Sequence, residues 1–207
     1  MLLRTLSLLL LAGMFLAASS SDRKYIREVK KHRKQVHKEF SDPAQSPFRE
    51  KATTEYRGLS YFSPNPAYRV KVEIELTEDA KPFLIPTSNP DRKKQYVSYA
   101  ILHFELAGEP FALHAYRSLK LVHMPQYART LFVPFTDLTT GEASYGGGRY
   151  MDLEIPEDGV PLYIDFNLAY NPYCAYSTGW SCPIPPEENF LQTRIEAGVK
   201  DYAGDAH

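Results

Sequence analysis

The 207-residue chain sets 24 Lys and Arg against 25 Asp and Glu, a formal charge of −1. That balance excludes the strongly basic surface a nucleic-acid partner calls for, so none is expected. One domain's length and 13 % aromatic content, with fifteen tyrosines, favour strands and half-wet surfaces over a helical bundle.

Met1-Leu-Leu-Arg4 is a short basic start, residues 5–17 are almost continuously apolar, and Ala17, Ala18, Ser19 and Ser20 are small. This order predicts a secretory signal peptide over residues 1–19. The charged run Asp22-Arg23-Lys24 arrives before the about 20 apolar residues a bilayer span requires. No stable membrane span is therefore expected in the mature protein. No cysteine follows the small residues to accept a lipid anchor, and losing Arg4 with the leader takes the charge to −2. The expected location is secreted or periplasmic, with residues 20–207 forming a single β-rich domain.

Residues 20–42 predict a basic amphipathic helix, with Ser21 or Asp22 able to cap it. Tyr25, Val29, Val36 and Phe40 form one apolar stripe among lysines and arginines. Such a helix can meet anionic lipid or polymer, or can clamp a β-structure with its charges solvated. Four or five apolar residues are few for firm membrane binding, which favours the clamp. Ser41-Asp-Pro-Ala-Gln-Ser-Pro47 then ends the helix.

Beyond it the pattern changes to period two. Over residues 68–76, Val70, Val72, Ile74 and Leu76 alternate with Arg69, Lys71, Glu73 and Glu75, predicting a half-buried antiparallel strand. Residues 96–106 set Tyr99, Ile101 and His103 opposite Ala100, Leu102 and Phe104, and Gly108-Glu109-Pro110 turns the chain into a strand over 111–116. Further strands are expected over 130–135, 150–155 and 161–166, the last two as hairpin neighbours. The fold class is mainly β: an antiparallel β barrel or sandwich with an N-terminal amphipathic helix. His103 reads as a satisfied core histidine. His32 and His37 lie on the solvated helix, and His114 and His123 have no metal-spaced partner. No metal site and no cofactor are expected.

Residues 167–189 form a proline-rich, aromatic loop holding Cys174, Cys182 and the single tryptophan. In an exported chain a Cys174–Cys182 disulfide is the first reading. Paired zinc ligands, although the spacing is wide, and a free Cys174 nucleophile stand beside it.

Two polar segments could carry chemistry. The first runs from Asp137 through Thr140 and three consecutive glycines to Arg149 and Tyr150. Glycine admits close backbone approach, and a guanidinium grips a carboxylate or phosphate with two parallel bonds. Alternatively Arg149 is an internal strut on Asp165 or Asp137. The second segment holds Asp165, Asn167, Tyr170 and Asn171. Pairing β-strands would bring Arg149 to Asp165, so Asp137, Thr140, Arg149, Tyr150, Asp165 and Asn167 are expected to converge on one side, roofed by the proline-rich loop. Tyr170 and Asn171 complete the expected ligand-binding set. No catalytic residues are assignable, since no serine elbow, zinc helix or spaced carboxylate pair is present.

Phe132-Val-Pro-Phe-Thr-Asp137, Thr139-Thr-Gly141, Gly148-Arg-Tyr150, Asp165-Phe-Asn167, Tyr170-Asn-Pro172, Cys174-Ala-Tyr176, Cys182-Pro and Pro185-Pro186 with Asn189 resemble the bacterial family called domain of unknown function 1684. The likeness extends back through Ser46-Pro47 and Gly58-Leu-Ser-Tyr-Phe62, and forward to Ile195-Glu-Ala-Gly198-Val-Lys200, departing at Val199 where the family pattern has Glu. It implies that the shared polar positions form one unit, and it implies no activity.

The function these features favour is an exported envelope or extracellular binding protein for a small anionic or polyhydroxylated ligand held at a barrel mouth. A hydrolase-type enzyme using Asp165 with Arg149, or Cys174, is the first alternative. A structural envelope protein whose loops meet another chain is the second. Ligand identity and oligomeric state are not legible.

Overall fold

A computed structural model describes residues 19–48, 51, 54 and 56–202. The signal peptide expected over residues 1–19 thus lies, but for Ser19, outside the described residues. Helix α1 spans Ser20–Ser41. Its cap, Ser19, is two or three residues earlier than the sequence suggested. Ser19 Oγ accepts from the Asp22 N–H at 3.0 Å, and the Asp22 carboxylate accepts from the Ser19 N–H at 3.2 Å, satisfying two N-terminal donors reciprocally. Pro43 forces the preceding residue out of helical geometry, and Asp42 is extended with ψ 115°.

Among the described residues eight strands follow: β1 Arg69–Leu76, β2 Phe83–Pro86, β3 Lys93–Leu106, β4 Glu109–Ser118, β5 Thr130–Asp137, β6 Arg149–Glu154, β7 Tyr163–Asp165 and β8 Phe190–Leu191. They form one sheet in the order β6-β5-β4-β3-β1-β7, with β2 added to β3 and β8 added in parallel to β5. Every other pairing is antiparallel. The sheet curls until it is nearly closed into a barrel, leaving a seam between its end strands β6 and β7.

This order corrects one expectation. The strands near 150–155 and 161–166 are not hairpin neighbours, because β7 crosses to pair with β1, Ile164 opposite Val70. The segment near 161–166 also yields only three strand residues. Asp165 instead caps a short 3₁₀ turn over Phe166–Leu168, accepting from the Asn167 N–H at 3.0 Å.

The core is the alternating face of β1, β3, β4, β5 and β6, including Val70, Val72, Leu102, Leu113, Val133 and Met151. Burying such a side chain stabilises by about 1.5 to 3 kcal/mol. Ile74 and Leu76, expected inward, remain 38 % and 61 % exposed. The three-residue strand β7 covers only Arg69, Lys71 and Val70 of β1, so the far end of β1 projects past the wall. His103 is also not a core residue: it is exposed and bonded to Glu75 at 2.7 Å.

Helix α1 clamps the barrel with its apolar stripe. Val29 is buried, Tyr25 donates to the Asp165 carboxylate at 2.7 Å, and Arg33 donates to the Phe62 carbonyl at 2.8 Å. Phe40 packs edge-on against Tyr176, joining the helix end to the proline-rich loop. Among the described residues no helix is long and apolar enough to cross a membrane.

Candidate functional site

The eight residues singled out in the sequence divide into two groups. Asp137, Thr140 and Arg149 form an internal network. Arg149 is fully buried and donates to Asp137 at 2.9 Å, to the Ala197 carbonyl at 2.5 Å and to the Ile195 carbonyl at 2.9 Å. Asp137 also accepts from the Thr139 and Ile195 N–H groups, and Thr140 Oγ1 accepts from the Asp137 N–H. Burial lowers the Arg149 pKa while Asp137 opposes the shift, leaving an ion pair. The strut joins the start of β6 to the chain end near Ala197. It uses Asp137, not Asp165, so the expected approach of Arg149 to Asp165 does not occur. Asp165 is engaged by Tyr25 and Asn167 instead.

The glycines before Arg149 serve this packing. At Gly148, φ is +80° and a Cβ would stand 2.7 Å from the Phe135 carbonyl oxygen. Only glycine permits both the backbone angle and the approach.

Tyr150, Asp165, Asn167, Tyr170 and Asn171 belong to the second group and line a cavity of about 1040 Å³ along the seam. Its walls come from β6 and β7, from His32, Val36 and Phe40 of α1, and from Tyr173, Trp180 and Pro183 of the proline-rich loop. That loop is fixed in place by covalent and polar ties. Cys174 and Cys182 are disulfide-bonded with α-carbons 6.3 Å apart, which leaves no thiol for a nucleophile or a zinc ligand. Ser88 joins β2's end to the bridge, its N–H donating to the Cys182 carbonyl at 2.8 Å and its Oγ accepting from the Cys182 N–H at 3.1 Å. The Tyr150 hydroxyl donates to the Pro183 carbonyl.

One wall of the cavity is an aromatic series. Tyr96 stacks on Phe132 at 5.4 Å, Phe132 meets Tyr150 edge-on at 4.8 Å, and Tyr150 meets Tyr170 edge-on at 5.9 Å. Asp152 stands in this series, directly opposite Phe132 across the β5–β6 ladder. It accepts from the Tyr170 hydroxyl at 2.7 Å. Its side chain is accessible from the cavity, yet the surrounding protein desolvates it and raises its pKa, with the Tyr170 bond opposing the rise. Lys94 and Arg117 supply positive charge to the same lining. Burial, reinforced by Lys120, lowers the Lys94 pKa.

The strand edge adds backbone groups. Tyr150 exchanges both main-chain bonds with Tyr170, at 2.8 and 3.0 Å, on the side away from β5. Alternation directs the N–H and C=O of Asp152 and Glu154 the same way, toward the seam. Chemically, the cavity offers flat aromatic faces, a carboxylate acceptor and ammonium and guanidinium donors within one half-enclosed space. Among the described residues no group of three or more His, Cys, Asp or Glu is placed to hold a metal ion.

Asp152, Tyr96, Phe132 and Lys94 were not singled out in the sequence. Their only signal is alternation. Tyr150, Asp152 and Glu154 are the outward row of β6, and period two cannot tell an open outer face from one roofed by a distant loop.

The profile of the family described as protein of unknown function (DUF1684) matches residues 54–200. Among solved structures, the solution structure of the uncharacterized protein from gene locus rrnAC0354 of Haloarcula marismortui is similar. It has 40 % identity and a TM-score of 0.65, over 87 % of this chain and 96 % of that one. No curated protein matches.

Proposed function

The chain belongs to the DUF1684 family, and from the seam cavity we propose that it is an exported, barrel-like protein that binds a small polyhydroxylated or anionic ligand. Export is supported by the leader-like order of residues 1–20 and by a disulfide, which persists in oxidising compartments.

The observation that carries the reading is the Asp152–Tyr170 pair within the aromatic series. Sites for small molecules are concave and mostly apolar, with few polar groups fixing orientation. A carboxylate held in one rotamer by a tyrosine hydroxyl accepts from hydroxyl groups without paying to order itself. Aromatic faces cover the apolar side of a ring, and Lys94 and Arg117 suit an acidic substituent. Because Arg149 is spent on Asp137, the grip on an anion falls to these two cations.

Native mass spectrometry of the protein purified from its own host tests the proposal. A retained small molecule released on denaturation, and absent from an Asp152→Ala, Tyr170→Phe variant, is the expected result. Protein that carries no such molecule, and binds none from a panel of neutral and acidic saccharides, would point to the structural role instead.

A further inference from the structure

Helix α1 has a second face that the clamp does not use. Lys24, Arg27, Lys30, Lys31, Lys34 and Lys38 are all exposed. At 3.6 residues per turn they fall within an arc of about 120°, along roughly 21 Å of helix. The docked residues Tyr25, Val29 and Phe40 occupy the opposite side of the same wheel. None of the six cations forms an ion pair among the described residues.

The charge is separated on the scale of the molecule. Helix α1 contains eight Lys and Arg against three Asp and Glu, a net +5. Residues 42–207 contain fifteen against twenty-two, a net −7. A body of that sign is repelled by an anionic surface in every orientation except the one that presents the helix. Beside the stripe, a shallow crevice of about 390 Å³ has Lys34 and Lys38 in its lining together with Tyr56, Leu59 and Tyr61. It sets apolar side chains next to ammonium groups, the combination met at a lipid headgroup and upper acyl chain.

We propose that the outward face of α1 docks the protein on an anionic lipid bilayer, by electrostatic attraction and without insertion of the helix. The apolar stripe that insertion would need is already packed on the barrel. A nucleic acid or another soluble polyanion would use the cations but has no use for the apolar crevice beside them. This inference rests on the outward helix face, the charge balance and the crevice beside the helix, and is independent of the seam cavity.

Co-sedimentation of the full chain with phosphatidylglycerol–phosphatidylcholine vesicles, against pure phosphatidylcholine vesicles, provides the test. The apolar run of residues 5–17 can partition into either lipid, so the difference between the two isolates the stripe. Each juxtamembrane cation contributes about fivefold in partition. The triple variant Lys30→Gln, Lys34→Gln, Lys38→Gln should therefore bind anionic vesicles about a hundredfold more weakly, with an unchanged melting temperature. Binding should also fall as salt rises. A control with the same charge change elsewhere, Lys71→Gln, Lys81→Gln, Lys120→Gln, should keep its binding. Equal loss in both triple variants, no preference for anionic vesicles, or tighter binding to duplex DNA or polyphosphate than to vesicles would each overturn the proposal.

Discussion

Replacing Arg149 with Met removes the charge and donors while nearly preserving side-chain volume. Asp137 would then be a buried carboxylate without its counter-ion, and the carbonyls of Ile195 and Ala197 would lose a donor. Breaking a buried pair by removing one partner costs about 3 to 5 kcal/mol, and an orphaned buried acceptor about 1 to 3. Asp137 keeps the Thr139 and Ile195 N–H donors, which holds the total toward the lower end, about 4 kcal/mol. For a chain of this size that lowers the melting temperature by about 8 to 16 °C. Arg149→Lys should lose less, because an ammonium keeps the charge but cannot reach Asp137 and two carbonyls with one planar fork. Urea denaturation measures both variants, and Asp137→Asn added to Arg149→Met should recover about 1 to 2 kcal/mol. Wild-type stability in Arg149→Met, with loss of a bound ligand instead, would refute the strut.

Other consequences are as direct. Reducing the Cys174–Cys182 bridge, whose sequence separation is 8, should cost about 2.5 kcal/mol in the chain-entropy model, read as a lower melting temperature in dithiothreitol. Thiol labelling of the unreduced native protein should fail at both positions. Gly198 has φ +78°, and a Cβ there would lie 2.7 Å from the carbonyl oxygens of Phe166 and Ala169. Gly198→Ala should therefore destabilise by about 2 to 5 kcal/mol in urea titration. Desolvation raises the folded-state pKa of Asp152, so the folded protein holds this proton more tightly than the unfolded chain. Its contribution to stability is lost as pH rises from the ordinary aspartate range through the raised value. Asp152→Asn should then melt higher than wild type at neutral pH and converge with it below the ordinary aspartate pKa. A gap that widens in acid would reverse the sign of this argument.

How much of this was legible depends on whether the signal was local. The helix and the burial of Val70 and Val72 follow from periodicity within a few residues, and both are present. Ile74 and Leu76 carry the same alternation, yet their burial depended on the length of β7, a strand about 90 residues away. The strut was half legible. A buried-looking arginine needed a carboxylate, but choosing Asp137 over Asp165 required knowing that β7 pairs with β1 rather than β6. The disulfide was the first reading of two cysteines in a chain expected to be exported, and it is present. The cavity was least legible, because α1, residues of β3 to β7 and the proline-rich loop meet there from widely separated parts of the chain.

Trp180, the chain's single tryptophan, lines the cavity with its ring 4.9 Å from that of Tyr173. Its fluorescence therefore reports occupancy of the proposed site. Titration with the molecule released from host-purified protein, or with the best binder of the saccharide panel, should give a saturable change in wild type. Asp152→Ala should weaken it by about tenfold or more, the loss expected for a hydrogen bond to a charged group. A ligand that binds without altering Trp180 emission, and with the same affinity in Asp152→Ala, would contradict the assignment of the seam cavity.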